Sequence, residues 1–284
     1  MTGDASSYCE RLVREADKDR FLATLFAPAA RRGALFSLYA FNAEIARVRD
    51  VAREPMPGEI RLQWWREVVE GGRSEEARAH PVAAALLETM ADHSLPRQPL
   101  ADSIDARAFD LYDDPMPTLA HAEAYGLKTS SASFQLAAKI LGGTEAAVSE
   151  LARHAGVAYS LAEQLRLFPR HAARRQLFIP LDILQRYDAN PEDVFSGKST
   201  PQLRAALAEM RLQIRGHLAA ADDLLATAPA AVLPALLPIA LVRPLLKRME
   251  RHGSDPFATV DVPQWRRQWA LWRAARRPRA MAAR

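Results

Sequence analysis

The chain has 284 residues, 49% of them hydrophobic and 25% charged, enough to bury one large core. Its 38 Lys+Arg against 34 Asp+Glu give a net charge of +4, which excludes nucleic-acid binding driven by bulk charge. A single cysteine, Cys9, excludes an internal disulfide framework and a multi-cysteine zinc site, and fits a reducing cytosol as a small apolar filler.

Residues 1–21 carry acidic residues early and no apolar run of the kind that directs secretion. From there on, Ala, Leu and Arg dominate and apolar residues recur every three or four positions. That pattern predicts helices over 21–53, 58–71, 81–94, 98–112, 118–141, 146–168, 201–226 and 262–276. Gly and Pro clusters break them at 54–58, 71–72, 113–117 and 142–144, each too short for an interdomain linker. The expectation is one all-α domain over 1–284, with 262–284 a basic C-terminal helix and tail. Gln63-Trp64-Trp65-Arg66 reads as core packing more than ligand contact. Asp113-Asp114, flanked by Pro115 and Pro117, reads as a helix stop and start, not a metal site. The most apolar stretch, 230–246, is interrupted by Pro234, Pro238 and Pro244 and contains Arg243, so a buried, kinked helix pair is expected there instead of a membrane span.

Several phrases resemble the squalene/phytoene synthase family. Leu35-Phe36-Ser37-Leu38-Tyr39-Ala40-Phe41-Asn42, running on to Asp50, is similar to the family's first signature, in which a Tyr-Ala-Phe-Cys-Arg stretch leads into an Asp-Asp-x-x-Asp motif. Leu62-Gln63-Trp64-Trp65-Arg66-Glu67, His80-Pro81-Val82 and Tyr125 with the helix after it match further phrases. Gly156-Val157-Ala158-Tyr159-Ser160-Leu161, Leu165-Arg166 and Leu177-Phe178-Ile179-Pro180-Leu181-Asp182 resemble the second signature. The matches keep one order across residues 10–250. The resemblance implies an isoprenoid-synthase-type helical bundle around a central cavity, with the helices bearing Asp50 and Arg166 facing each other across it. It also implies head-to-head condensation of prenyl diphosphates, because active members hold Mg²⁺ on two facing carboxylate motifs and the metal neutralises the departing diphosphate.

This chain departs from the pattern where the metal would bind. Ala46, Arg47 and Asp50 fall at the first three aspartates, and Ala43 falls at a diphosphate-binding arginine. Leu167 and His171 fall at the two aspartates of the second motif, Glu163 at its asparagine and Arg170 at a usual acidic position. Two like charges near 4 Å cost about 4 kcal/mol at an effective dielectric of 20, and a divalent cation beside each arginine would feel roughly twice that. Metal-dependent ionisation of a prenyl diphosphate is therefore not expected, and no cofactor is assigned. Arg47, Asp50, Glu163, Arg166, Arg170, His171 and Arg174 remain candidates for holding an anion or lipid head in the old cavity, since guanidinium forks suit phosphate. The bland alternative pairs Arg47 with Glu44 or Asp50 and leaves 170–175 a solvated loop.

Near the C-terminus, Trp265, Trp269 and Trp272 share one helical face among several arginines. They form either a membrane or partner anchor, or a last helix that docks its tryptophans on the bundle. The phrase from Ala40 to Asp50 followed by Gln63-Trp64-Trp65 resembles a branch of the family that also lacks the aspartates and assists assembly of respiratory NADH:quinone oxidoreductase, complex I. That resemblance implies a non-catalytic protein with membrane subunits of that complex as partners; the lone cysteine and the N-terminus lead to the expectation of a cytoplasmic location, peripheral to the inner membrane. Two other readings stay open: a divergent head-to-head prenyl diphosphate synthase, and a carrier that binds a prenyl lipid or quinone without chemistry.

Overall fold

The computed structural model describes residues 2–52, 54–143, 146–251 and 255–276, and among them every regular element is helical. Helices α1 (Thr2–Ala16) and α2 (Lys18–Thr24) lead into α3 (Ala29–Ala46) and one further turn, α4 (Val48–Val51). Next come α5 (Pro55–Glu70), α6 (Ser74–Ala79), α7 (Pro81–Asp92) and α8 (Arg97–Arg107), which tightens into a 3₁₀ turn at Ala108–Leu111. A π-helical turn, Leu127–Ser131, joins α9 (Leu119–Gly126) to α10 (Ala132–Ile140). The long α11 (Ala146–Arg166) is followed by α12 (Phe168–Ala173), α13 (Leu181–Arg186), α14 (Pro191–Phe195) and α15 (Pro201–Leu225). The chain closes with α16 (Leu233–Leu236), set between 3₁₀ turns at Ala230–Val232 and Leu237–Leu241, then α17 (Val242–Arg251) and α18 (Gln264–Arg276).

The helix starts follow from local chemistry. Asp17, Thr118, Asn190 and Thr200 each accept a hydrogen bond from a backbone N–H of the first turn they precede, and Pro81, Pro191 and Pro201 open helices where no N–H is needed. The single helix expected over 21–53 is three. Pro28 cannot continue the α2 ladder and instead precedes α3, and the backbone turns again at Arg47 (φ −89°, ψ 2°). Helix α1 lies outside the predicted set, although Cys9 and Val13, four residues apart, supply its buried stripe.

The core forms around α11, which packs on α15 along one side and on α10 and the π turn along the other. Gly156 is the contact point with that turn: a Cβ there would lie 2.2 Å from Ser131 Cα, so only glycine permits the approach. Trp65 is 1% exposed and meets Phe41 edge-on at 5.3 Å, in line with the packing role expected of the Trp64-Trp65 pair. The segment Ala230–Arg251 is long and apolar enough to cross a membrane, but it is broken into short helical pieces and 61% of its most apolar window is buried inside the protein. Helix α18 lies against Leu237–Leu241 of that segment and against α2. It docks through Leu271 and Ala274, which are buried.

Candidate functional site

A cavity of about 690 Å³ opens where the start of α2, the α3–α4 turn, the end of α8, the π turn, α11, α12 and the approach to α18 converge. Asp50 and Arg166 both line it, as expected of the helices that carry the two signatures. Each is held there by an ion pair. The Asp50 carboxylate accepts hydrogen bonds from Arg170 and, at 2.7 Å, from Arg174 Nη1. Burial raises the Asp50 carboxyl and the two guanidiniums more than reverse it, so it sits below the ordinary carboxylate range. Arg170 lies on α12 and Arg174 caps its C-terminal end, and both reach across to the opposite wall while staying partly exposed, so 170–174 is helix and cap instead of the loop expected. Arg175 alone turns outward, to Glu192.

Glu163 and Arg166, one turn apart on α11, form a two-pronged pair with Nε–Oε1 at 2.9 Å and Nη2–Oε2 at 2.6 Å. Arg47 is no part of the cavity wall. It bonds to the buried Glu44 on its own helix, one of the two pairings that the bland alternative offered it. His171 faces the cavity with its ring 4.4 Å from that of Phe178, and burial, then Arg170 and Arg174, push its pKa down to about 4. It is a neutral imidazole at any pH near 7.

Other charged groups complete the wall, and no motif pointed to them. Arg107 Nη1 bonds Asp110 at 3.0 Å and the Tyr125 hydroxyl at 2.7 Å, and that hydroxyl donates to the other Asp110 oxygen at 2.8 Å. Burial raises the Asp110 carboxyl, opposed by Arg107 and Tyr125. Arg20 bonds Asp17 at 2.6 Å, and its guanidinium lies within 5.6 Å of the Tyr39 ring, 5.8 Å of Phe134 and 5.2 Å of Tyr159. Arg267 reaches in from α18 to Asp19 at 2.6 Å and also bonds Asp261. The available signal was spacing: Asp17 and Arg20, Arg107 and Asp110, and Glu163 and Arg166 all stand at i,i+3.

Among the described residues, eight basic and seven acidic side chains line the cavity, so its formal charges nearly balance. A magnesium site does not fit. Ala46 and Leu167 offer no donor, and Asp50, Glu163, Asp110, Asp19 and Asp17 are each bonded to an arginine. No group of three His, Cys, Asp or Glu side chains among the described residues is placed to hold a metal ion. Gln164, 5% exposed at the cavity wall, finds no partner there for either amide atom.

The three tryptophans of α18 do not dock on the bundle. Trp265, Trp269 and Trp272 are 64%, 57% and 39% exposed, and the last two stack with ring centroids 5.2 Å apart.

Fold and site together define an all-α isoprenoid-synthase-type bundle whose cavity walls are tied by arginine–carboxylate pairs. The squalene/phytoene synthase family model matches residues 13–273, and the chain belongs to that family. It is 30% identical over 250 residues to the human (Homo sapiens) NADH dehydrogenase (ubiquinone) complex I assembly factor 6, covering 88% of this chain and 75% of that one. It is 25% identical over 302 residues to phytoene synthase of Arthrospira platensis, covering 98% and 94%. Among solved structures, a dehydrosqualene synthase superposes with a TM-score of 0.86 at 15% identity, over 98% of both chains, which speaks to the fold alone.

Proposed function

We propose that this protein is a non-catalytic member of its family that assists assembly of the respiratory NADH dehydrogenase, complex I, working in the cytoplasm at the membrane that houses the complex and acting on its membrane subunits. The observation that carries the non-catalytic part is the bond of Asp50 to Arg170 and Arg174, since the surviving carboxylate of the first motif is held by cations from the second. The similarity to complex I assembly factor 6 supports the assembly part.

Deletion of the gene in its host, read by native electrophoresis of solubilised membranes and by NADH:quinone activity, tests the reading. Loss of assembled complex, restored by the wild-type chain and by an Asp50→Ala chain, is the expected result. Normal complex I in the deletion strain would refute the assembly role. Squalene, phytoene or their cyclopropyl diphosphate precursors formed from farnesyl or geranylgeranyl diphosphate with Mg²⁺ would make it a synthase. The carrier reading has less support, because eight basic and seven acidic side chains share the cavity wall with its apolar ones, and a prenyl tail has nothing to pair with them. A prenyl lipid or quinone co-purifying unchanged would revive it.

A further inference from the structure

Helix α18 has two opposed faces, and the bundle uses one. Leu271 and Ala274 are buried against Leu237–Leu241 and α2, and Arg267 on the same side is fastened to Asp19 and Asp261. At 100° per residue the opposite face carries Trp265, Trp269, Trp272 and Arg276, with Arg266 and Arg273 along one flank. The indoles therefore point directly away from the body of the protein, and all three are exposed. Among the described residues, the cations over their rings come from the same helix: Arg266 lies 5.0 Å from the Trp265 ring and Arg276 lies 4.3 Å from the Trp272 ring.

A soluble helix this size has little reason to present three indoles to water. Indoles and arginines intermixed on one stripe have a natural counterpart in the boundary of a lipid bilayer, where the rings settle at headgroup depth and the arginines reach up to phosphate. Charge selects the kind of surface. From Gln264 to Arg284 the sequence holds seven arginines and no acidic residue, and among the described ones Arg267 is the one neutralised by the bundle. We infer that the Trp265–Trp269–Trp272 face of α18 binds the surface of a bilayer containing anionic lipid, with the helix axis in the plane of the membrane and the bundle above it. The inference does not depend on a role in complex I assembly.

Co-sedimentation of the full chain with vesicles of phosphatidylcholine, with and without phosphatidylglycerol, tests it. The wild type is expected to bind the anionic vesicles far better than the neutral ones, and to lose that preference near 1 M salt, where the screening length falls to about 3 Å. Vesicles should also protect its tryptophan fluorescence from acrylamide. The triple variant Trp265→Ala, Trp269→Ala, Trp272→Ala should bind at least about tenfold more weakly, with its helical circular dichroism and melting temperature unchanged. Should that variant fold poorly, Arg266→Gln with Arg273→Gln and Arg276→Gln gives a second reading. At about fivefold per charge, the three together should cost on the order of a hundredfold on anionic vesicles at low salt. Wild-type protein that ignores both kinds of vesicle overturns the inference and points to a partner protein on this face. So does undiminished binding by either triple variant.

Discussion

Gly156→Ala is the sharpest structural test, because one methyl group meets backbone. The new Cβ would sit 2.2 Å from Ser131 Cα, 2.3 Å from its nitrogen and 2.3 Å from its Oγ, where carbon contacts ordinarily begin near 3.5 Å. The hydroxyl could rotate aside, but Cα and N are backbone and cannot, so α11 and the π turn must separate by more than 1 Å. Overpacking of this kind costs typically 1–3 kcal/mol. The Ser131 Oγ bond to the Arg153 carbonyl at 2.8 Å would be displaced as well, adding about 1 kcal/mol. A total of about 3 kcal/mol corresponds to a fall in melting temperature of roughly 6–12 °C for a domain of this size. Gly216→Ala is the internal control, since that glycine lies inside α15 with no atom within 4 Å of its built Cβ. There alanine should stabilise by about 0.5–1 kcal/mol. Thermal melts by circular dichroism, paired with urea titrations to confirm an unchanged slope, distinguish the two. A Gly156→Ala protein that melts with the wild type would refute the packing argument.

Three further outcomes follow from the cavity wall. His171 has its folded pKa depressed to about 4 from an ordinary 6.5, so its contribution is fully present above 6.5 and is lost as pH falls from there toward 4, by about 3 kcal/mol; urea titrations at several pH values should show a shallower slope in that window for His171→Gln. Asp50→Asn should lower stability by less than about 1 kcal/mol, because Asp50, Arg170 and Arg174 are 40%, 47% and 41% exposed at the side chain, and calorimetry with Mg²⁺ and a farnesyl diphosphate analogue should find no metal-dependent binding to either protein. Arg267→Ala should cost about 2 kcal/mol or more, because it leaves Asp19, 14% exposed, without its cation; a change below about 0.5 kcal/mol in chemical denaturation would mean that α18 is held by Leu271 and Ala274 alone.

Much of this architecture was legible because it is periodic. Apolar residues at helical spacing gave the all-α class, and the ordered phrases from Tyr39 to Leu181 placed Asp50 and Arg166 on the walls of one cavity. The helix breaks at Pro28 and Arg47 were missed where an apolar pattern ran through them and masked the turn. The buried polar network was missed for another reason. Arg20, Arg107 and Asp110 look like solvated helix charges until the tertiary fold brings Tyr125 beside Arg107, and Tyr39, Phe134 and Tyr159 around Arg20. In α18 two stripes compete at helical spacing, Leu271 with Ala274 and the three tryptophans. The sequence could not tell which faces inward, and the structure buries the smaller one, where close approach to Leu237–Leu241 leaves no room for indole.

The tie from Asp50 to Arg170 and Arg174 changes what kind of object this fold is. A wall closed by a metal and a diphosphate is conditional: it shuts when both are at hand and relaxes when product leaves, so the shape of the protein reports on metabolism. A wall closed by guanidinium groups is written into the chain and keeps no such record. All three partners in the tie are side chains of the protein itself, so it forms with no metal or diphosphate between them.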